Sequence, residues 1–262
     1  MHAINCRQPW RRLWLGAILL SLFSVQSLPA VSKESTSIKL LQRSKLNGDM
    51  VVYLSQSGLR IENPRSHITM FAKPPEWTVY KVSQETKKYR VLPFQSYSNP
   101  IVQAQIFAAG INMTKATCAK TGSAKMFELP VDLYKSDEAY TKNAHEMYYK
   151  TKIVSASYPE TFTCKVLSPD AFPAEEARIL SILNGLPNLH GVPVEMTCMP
   201  FDRKILKYLG TSDAIPCTLS PEQLTLPRGF QKVDEDSALT TSVEVQKDML
   251  DFIESAGQRK SK

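Results

Sequence analysis

The stretch Met50-Val51-Val52-Tyr53-Leu54-Ser55-Gln56-Ser57-Gly58-Leu59-Arg60-Ile61-Glu62-Asn63-Pro64 decides the fold class. Residues 50–54 are dense in the β-branched and aromatic side chains that favour strands. Gly58 breaks the run. Leu59-Arg60-Ile61-Glu62 then alternates apolar with charged side chains, the period of a strand with one dry face and one wet one. Asn63-Pro64 marks a turn. Outward from there, strand-like segments begin near Ile38 and continue through residues 66–71, which Lys73-Pro74-Pro75 ends. Residues 77–82, a polar turn at 84–87 and residues 88–92 make a hairpin pattern. Strands joined by short turns, with no helix between them, imply an antiparallel meander.

The pattern changes after Asn99. Ile101, Val102, Ile106 and Phe107 lie close to helical spacing within residues 100–109, and Gly110 offers a stop. Strand-like segments resume at 114–118, 125–129, 148–154 and 161–167. A second helix is expected from Pro173 to Leu183, with Glu175 and Glu176 in its first turn, where the helix dipole favours negative charge. Gly185 is its expected cap. Strands follow at 192–198 and 204–209. A last helix is read from Thr241 and Glu244, which have capping-box spacing, and from the apolar face of Val245, Met249, Phe252 and Ile253, with Gly257 as its end. The whole reads as α+β: a curved antiparallel sheet with about three helices.

The first residues read as an export signal. Arg7, Arg11 and Arg12 precede an apolar run over 13–23, and small residues follow at Ser24, Ser27 and Ala30. Cleavage is expected after Ser27 or Ala30. The apolar run is about half the roughly 20 residues that a spanning helix needs. The expected organisation is a signal peptide at 1–27, a single domain at 28–257 and a basic, disordered tail at 258–262. The location is extracytoplasmic, periplasmic or secreted.

The formal charge of +7 includes the three leader arginines, which leaves +4 after them. Acids and bases are interspersed, and no basic stripe interleaved with aromatics appears, so nucleic-acid binding has no support. Four cysteines follow the leader: Cys118, Cys164, Cys198 and Cys217. An even number in an oxidising compartment points to two disulfides, with three possible connectivities. No C-x-x-C pair occurs among them, which argues against a zinc or thioredoxin-like centre.

Several short motifs resemble a known group. Gly48-Asp49-Met50-Val51-Val52-Tyr53, Leu59-Arg60-Ile61-Glu62, Ile68-Thr69-Met70 and Lys87-Lys88-Tyr89 follow a rhythm in which a strand ending in R-x-E leads to an apolar strand, a turn and a strand built on K-x-Y. Gly191-Val192-Pro193-Val194 and Leu226-Pro227-Arg228-Gly229-Phe230 resemble the G-I-P-L and L-P-x-G-Y elements of the same group. The pattern is similar to exported bacterial domain-of-unknown-function proteins related to the LolA, LolB and LppX lipoprotein and lipid carriers. The resemblance implies a half-open β-barrel whose concave face is closed by helices around an acyl-chain cavity. It also implies a bacterial envelope location. Residues 132–149, charged and rich in tyrosine, have no counterpart in that pattern.

Catalytic motifs are incomplete wherever they begin. His145-Glu146-Met147-Tyr148-Tyr149 starts like H-E-x-x-H but has Tyr149 where the second imidazole must stand, so no zinc site is expected. Lys120-Thr121-Gly122 matches one element of the penicillin-binding set, but no Ser-x-x-Lys accompanies it, and it reads as a turn. His190 reads as a surface residue in a turn before a strand. No catalytic residue, metal or cofactor is assigned. Leu59, Ile61, Ile68, Met70, Trp77 and Val79 are the candidate cavity residues, although a barrel filled by its own side chains accounts for them equally. The leading reading is a non-catalytic envelope protein that binds a lipid or other hydrophobic ligand. A structural or interaction module with an envelope protein partner, working through a strand edge or residues 132–149, is the second. A secreted enzyme with an unrecognised site is the third.

Overall fold

The computed structural model describes residues 37–109, 113–150, 152 and 158–240. The expected leader, Gly110, the helix expected from Thr241 and the basic tail lie outside them.

The first meander forms where the alternation placed it. Strands β1 (Ser37–Ser44), β2 (Gly48–Ser55), β3 (Gly58–Asn63), β4 (Ile68–Ala72), β5 (Val79–Ser83) and β6 (Lys88–Leu92) pair in sequence, each antiparallel to the next. The second meander is built from β7 (Cys118–Met126), β8 (Leu129–Ser136), β9 (Pro159–Leu167), β10 (Pro193–Pro200) and β11 (Leu206–Cys217). β1 joins the two by pairing along β11, from Ser37↔Cys217 to Ser44↔Leu209. With the two-residue β12 (Gln231–Lys232) added in parallel on β6, the described strands form one open sheet in the order β12-β6-β5-β4-β3-β2-β1-β11-β10-β9-β8-β7.

Among the described residues there are four α-helices rather than three: α1 (Pro100–Ala109), α2 (Glu138–His145), α3 (Ala174–Asn184) and α4 (Asp236–Thr240). α3 runs as its sequence implied. Its end is closed by Gly185 at φ 65°, where the Gly185 amide donates to Ile182 O and the Leu186 amide to Ser181 O. That left-handed position favours glycine. α2 replaces most of a segment with no expected helix. Asp137 caps it by accepting from the Tyr140 amide at 2.8 Å, and buried Tyr140 and Ala144 lie one turn apart on its inner side. The chain then continues into a π-helical turn at Glu146–Lys150, so the strand expected at 148–154 is absent at 148–150. Residues 151 and 153–154 of that expected strand lie outside the described residues.

Two further expectations change. Lys120-Thr121-Gly122 lies inside β7, at a break in register against β8, and is a bulge rather than a turn. Residues 125–129 are not one strand: Lys125 and Met126 end β7, Leu129 opens β8, and Phe127 and Glu128 between them both take positive φ, the geometry of a tight hairpin turn.

Alternation gives the meander two buried faces. On one, Leu40, Val52, Leu54, Leu59, Ile61 and Val79 pack with Ile179, Leu180 and Leu183 of α3. On the other, Phe71 and Val82 pack with Leu219 and Leu224, the latter in a 3₁₀ turn at Pro221–Leu224. Arg60, on this second face, pairs with Glu62 at 2.8 Å and donates to Gln223 O at 2.7 Å.

Leu59 is 1% exposed within the helix-covered core. Leu59→Ala is expected to cost about 2–5 kcal/mol in urea unfolding, and Ile205→Ala, at an exposed site, less than about 0.5 kcal/mol.

Candidate functional site

Register carries a single row of side chains across the helix-covered face. Leu40 pairs with Val52, Val52 with Ile61, Ile61 with Met70, Met70 with Lys81 and Lys81 with Arg90. The row is apolar for four strands and then turns cationic. Over its central part lies a cavity of about 770 Å³, within the size range of small-molecule pockets. Met50, Ile61, Ile68, Met70, Ile101 and Leu183 supply its apolar wall.

The rim is held by asparagine side chains. Asn47, in the β1–β2 turn, donates to Leu183 O and to Asn184 Oδ1, both at 3.0 Å, and Asn99 donates to Leu183 O at 2.6 Å. Asn63 donates to Asn47 O at 2.8 Å. The last turn of a helix leaves carbonyls without partners. Here two side-chain amides meet one of them and tie the end of α3 to the sheet and to the start of α1. Asn99 also accepts from the Ile101 amide at 3.0 Å.

The far wall is ionic. Lys81 Nζ lies 2.8 Å from Asp236 Oδ2, and Arg90 Nη1 lies 3.1 Å from Asp236 Oδ1 without hydrogen-bond alignment. Burial alone would raise the Asp236 carboxyl, but the Lys81 hydrogen bond and the charges of Lys81 and Arg90 outweigh it and hold it below the usual range.

Three of the six expected cavity residues, Ile61, Ile68 and Met70, line this space. Leu59, Trp77 and Val79 are instead packed in the adjoining core. Lys81, Asp236 and the asparagines were missed. Lys81 was within reach of the alternation, since it shares the parity of Val79. Asp236 and Asn99 carry no local signal, because their partners are far away in the chain.

No protein-family model matches the chain, and no curated protein matches it. Among solved structures it is similar to an uncharacterised conserved protein of Thermus thermophilus, with 12% identity, 77% of this chain and 92% of that one covered, and a TM-score of 0.40. It is similar also to LprF of Mycobacterium bovis, at 10% identity over 75% and 90% of the two chains with a TM-score of 0.25. The Mycobacterium tuberculosis lipoprotein LppX, one of the carriers that the sequence motifs resemble, is 12% identical over 72% and 91%, with a TM-score of 0.27. At scores below 0.5 these likenesses carry no function to this chain.

The expected disulfides are not formed: all four cysteines are free thiols. Register explains this. On adjacent strands Cys164 pairs with Met196 and Cys198 with Phe162, so the two thiols are diagonal rather than opposed. Diagonal positions lie about 7–8 Å apart, beyond disulfide reach. Cys118 faces Ser136 on β8, a strand short of Cys164, and Cys217 pairs with Ser37 at the other end of β11. Burial pushes the Cys164 and Cys198 thiols up to about 12 and Cys118 to about 11.

Outside the cavity, His145 Nε2 lies 2.7 Å from Glu160 Oε1, and Arg203 lies 2.8 Å from the other oxygen. Tyr148 stacks on Phe201 with ring centres 4.1 Å apart, and Tyr149 meets both rings edge-on. His145 joins this aromatic cluster, with its ring centre 5.4 Å from those of Tyr149 and Phe201. His190 is exposed in a bend before β10, as expected. Among the described residues no three His, Cys, Asp or Glu side chains gather as metal ligands.

Glu176 of α3 is fully buried, and neither carboxyl oxygen completes a hydrogen bond. Burial, with a smaller push from Glu175, raises its carboxyl well above the ordinary value, and the Ser55 backbone offsets this only in part. A raised acid binds its proton more tightly in the folded chain than in the unfolded one, so its contribution is full below the unfolded value and is lost as pH rises. Glu176→Gln is therefore expected to raise Tm more at about pH 8 than at about pH 4, as read by thermal melts across pH.

Proposed function

We propose that this chain is a non-catalytic, exported binding protein that holds a hydrophobic ligand in the cavity over β2–β5. The observation that carries this reading is the cavity itself. It is large, its wall is built from Met50, Ile61, Ile68, Met70 and Leu183, and polar side chains stand at its rim. An apolar wall beside a few placed polar groups is the make-up of a ligand site. Each ligand methylene taken out of water there contributes about 0.8 kcal/mol. The arginine-bearing, apolar leader supports a location outside the cytoplasm, and the motif resemblance to envelope carriers points the same way. No helix among the described residues is long and apolar enough to cross a membrane.

A second reading has its own observation. Tyr149, Met199 and Ile205 are exposed around the Tyr148–Phe201 stack, on the face formed by the π-helical turn and the ends of β10 and β11. Aromatic and methionine side chains are enriched at protein interfaces. On this reading residues 132–149 help to form a docking surface for an envelope protein.

Native mass spectrometry of detergent-free exported protein separates the two. The expected result is an added mass that leaves on denaturation and extracts into organic solvent. Ile68→Trp, which fills the cavity from its wall, is expected to abolish that mass while leaving the circular dichroism spectrum unchanged. A clean apo mass, unaltered after incubation with envelope lipids, overturns the cavity reading and favours the aromatic face.

A further inference from the structure

The row that forms the cavity wall does not end as a core row would. It crosses Leu40 and Val52 in the core, lines the cavity with Ile61, Met70 and Lys81, and then presents Arg90 on the same face just beyond the lining. At roughly 4.8 Å between strands, Lys81 stands about 10 Å from Ile61, with Met70 between them. A long apolar chain lying across the strands from β3 therefore meets a cation as it reaches β5.

Charge along the cavity is one-sided. Among the described residues that line it, Arg43, Lys45, Arg65 and Lys81 are basic and Asp236 alone is acidic. Arg43 has Asp49 at 3.6 Å, on the exposed side of the rim. Deeper in, Asp236 stands between two cations, Lys81 and Arg90, whose side chains are 11% and 25% exposed. Among the described residues one carboxylate stands against two cations, which leaves a positive charge at this end of the row. A buried, partly uncompensated charge is costly unless it is matched. Asp236 is itself anchored from another side, because Leu239 of the same short helix is buried and its carbonyl accepts from Thr86 Oγ1 at 2.8 Å.

Building on the ligand-cavity reading above, we infer that the ligand is an amphiphile with a single anionic head, whose chain lies over Ile61, Ile68 and Met70 and whose head is taken up by Lys81 and Arg90 beside Asp236. The head supplies the negative charge that the pair lacks. Asp236 already occupies part of that pair, so it competes with the head and limits its affinity. A carboxylate and a phosphate monoester share the required chemistry. Both accept charge-assisted hydrogen bonds from Lys and Arg, and such bonds are roughly twice as strong as neutral ones.

The test compares three probes of equal chain length, dodecanoate, dodecyl phosphate and dodecanol. Each is titrated at about pH 8, where the acids are ionised, against a fluorescent apolar reporter bound to the full protein. The wild-type protein is expected to bind at least one of the two anions about tenfold more tightly than the alcohol. Whichever anion binds better identifies the head. Lys81→Met is expected to erase the preference while dodecanol affinity stays within about threefold, and Asp236→Asn to widen it. Arg90→Met is the second variant should Lys81→Met not fold, and it is expected to reduce the preference. Equal binding of acid, phosphate and alcohol by the wild type overturns the head-group inference and leaves the apolar cavity standing. So does an anion preference that survives in both Lys81→Met and Arg90→Met. Displacement of the reporter by none of the three overturns the cavity reading itself.

Discussion

Side chains on a strand alternate with period two, and a slip of one residue turns every one of them over. From β1 to β6 the pairing runs without a break in register. Each strand therefore hands its inward parity to the next, and Leu40, Val52, Ile61, Met70, Lys81 and Arg90 share a face because they have no alternative. The core against α3, the second core against the 3₁₀ turn at Pro221–Leu224 and the cavity all follow from that continuity. Register does break in β7, along β9, β10 and β11, and where β11 meets β1 at Leu41/Gln42, in pairings that build the other meander or join it to the first.

The cavity exists because the helices meet the sheet unevenly. α3 presses Ile179, Leu180 and Leu183 onto the apolar rows. Its end is then stopped by Gly185 and fastened by Asn47 and Asn99, so it does not run on over Met50, Ile61 and Ile68. Polar fastening is well suited to this place. An apolar side chain there would extend the core into the space, whereas an amide directs its bonds to the Leu183 carbonyl and adds no apolar cover to the wall beside it. Gly58 shows the opposite arrangement on the far face. At φ 143°, a Cβ there would meet Ala72 O at 2.6 Å and Leu224 at 2.9 Å, so the β2–β3 turn closes tightly and leaves no room.

Ionisable groups inside this fold divide into two kinds. Glu176 is buried with neither oxygen satisfied and is driven towards its neutral form. Asp236 is half-buried beside two cations and is driven towards its charged form. Burial acts on both in the same direction, and the partners decide the outcome. Glu176 consequently sits in the core as a weak point of alkaline stability, while Asp236 keeps the charged chemistry of the cavity wall in place. Cys164 and Cys198 belong with Glu176: buried, pushed up and too far apart to bond, they behave as small apolar core residues.

The meander, the three cavity residues Ile61, Ile68 and Met70, the span of α1 and the start, face and cap of α3 were all legible in the chain. Each depends on neighbours within a few residues: alternation, helical spacing, a first-turn glutamate, a glycine after the last turn. α2 and the π-helical turn were not legible, because Tyr148 and Tyr149 have strand propensity that packing against Phe201 overrides. The β7–β8 turn was missed because Phe127 and Glu128 adopt positive φ without the usual Asn-Gly signature. Leu59 and Val79 have the right parity for the cavity, yet whether a residue of that parity meets α3 depends on where α3 ends; Trp77, at φ 51°, lies before β5, where alternation does not apply. By itself the sequence determined the faces of its strands. The tertiary structure alone decided what covers them, because the Asn47–Leu183 and Lys81–Asp236 contacts join residues 136 and 155 positions apart, and no local pattern encodes a partner at that distance.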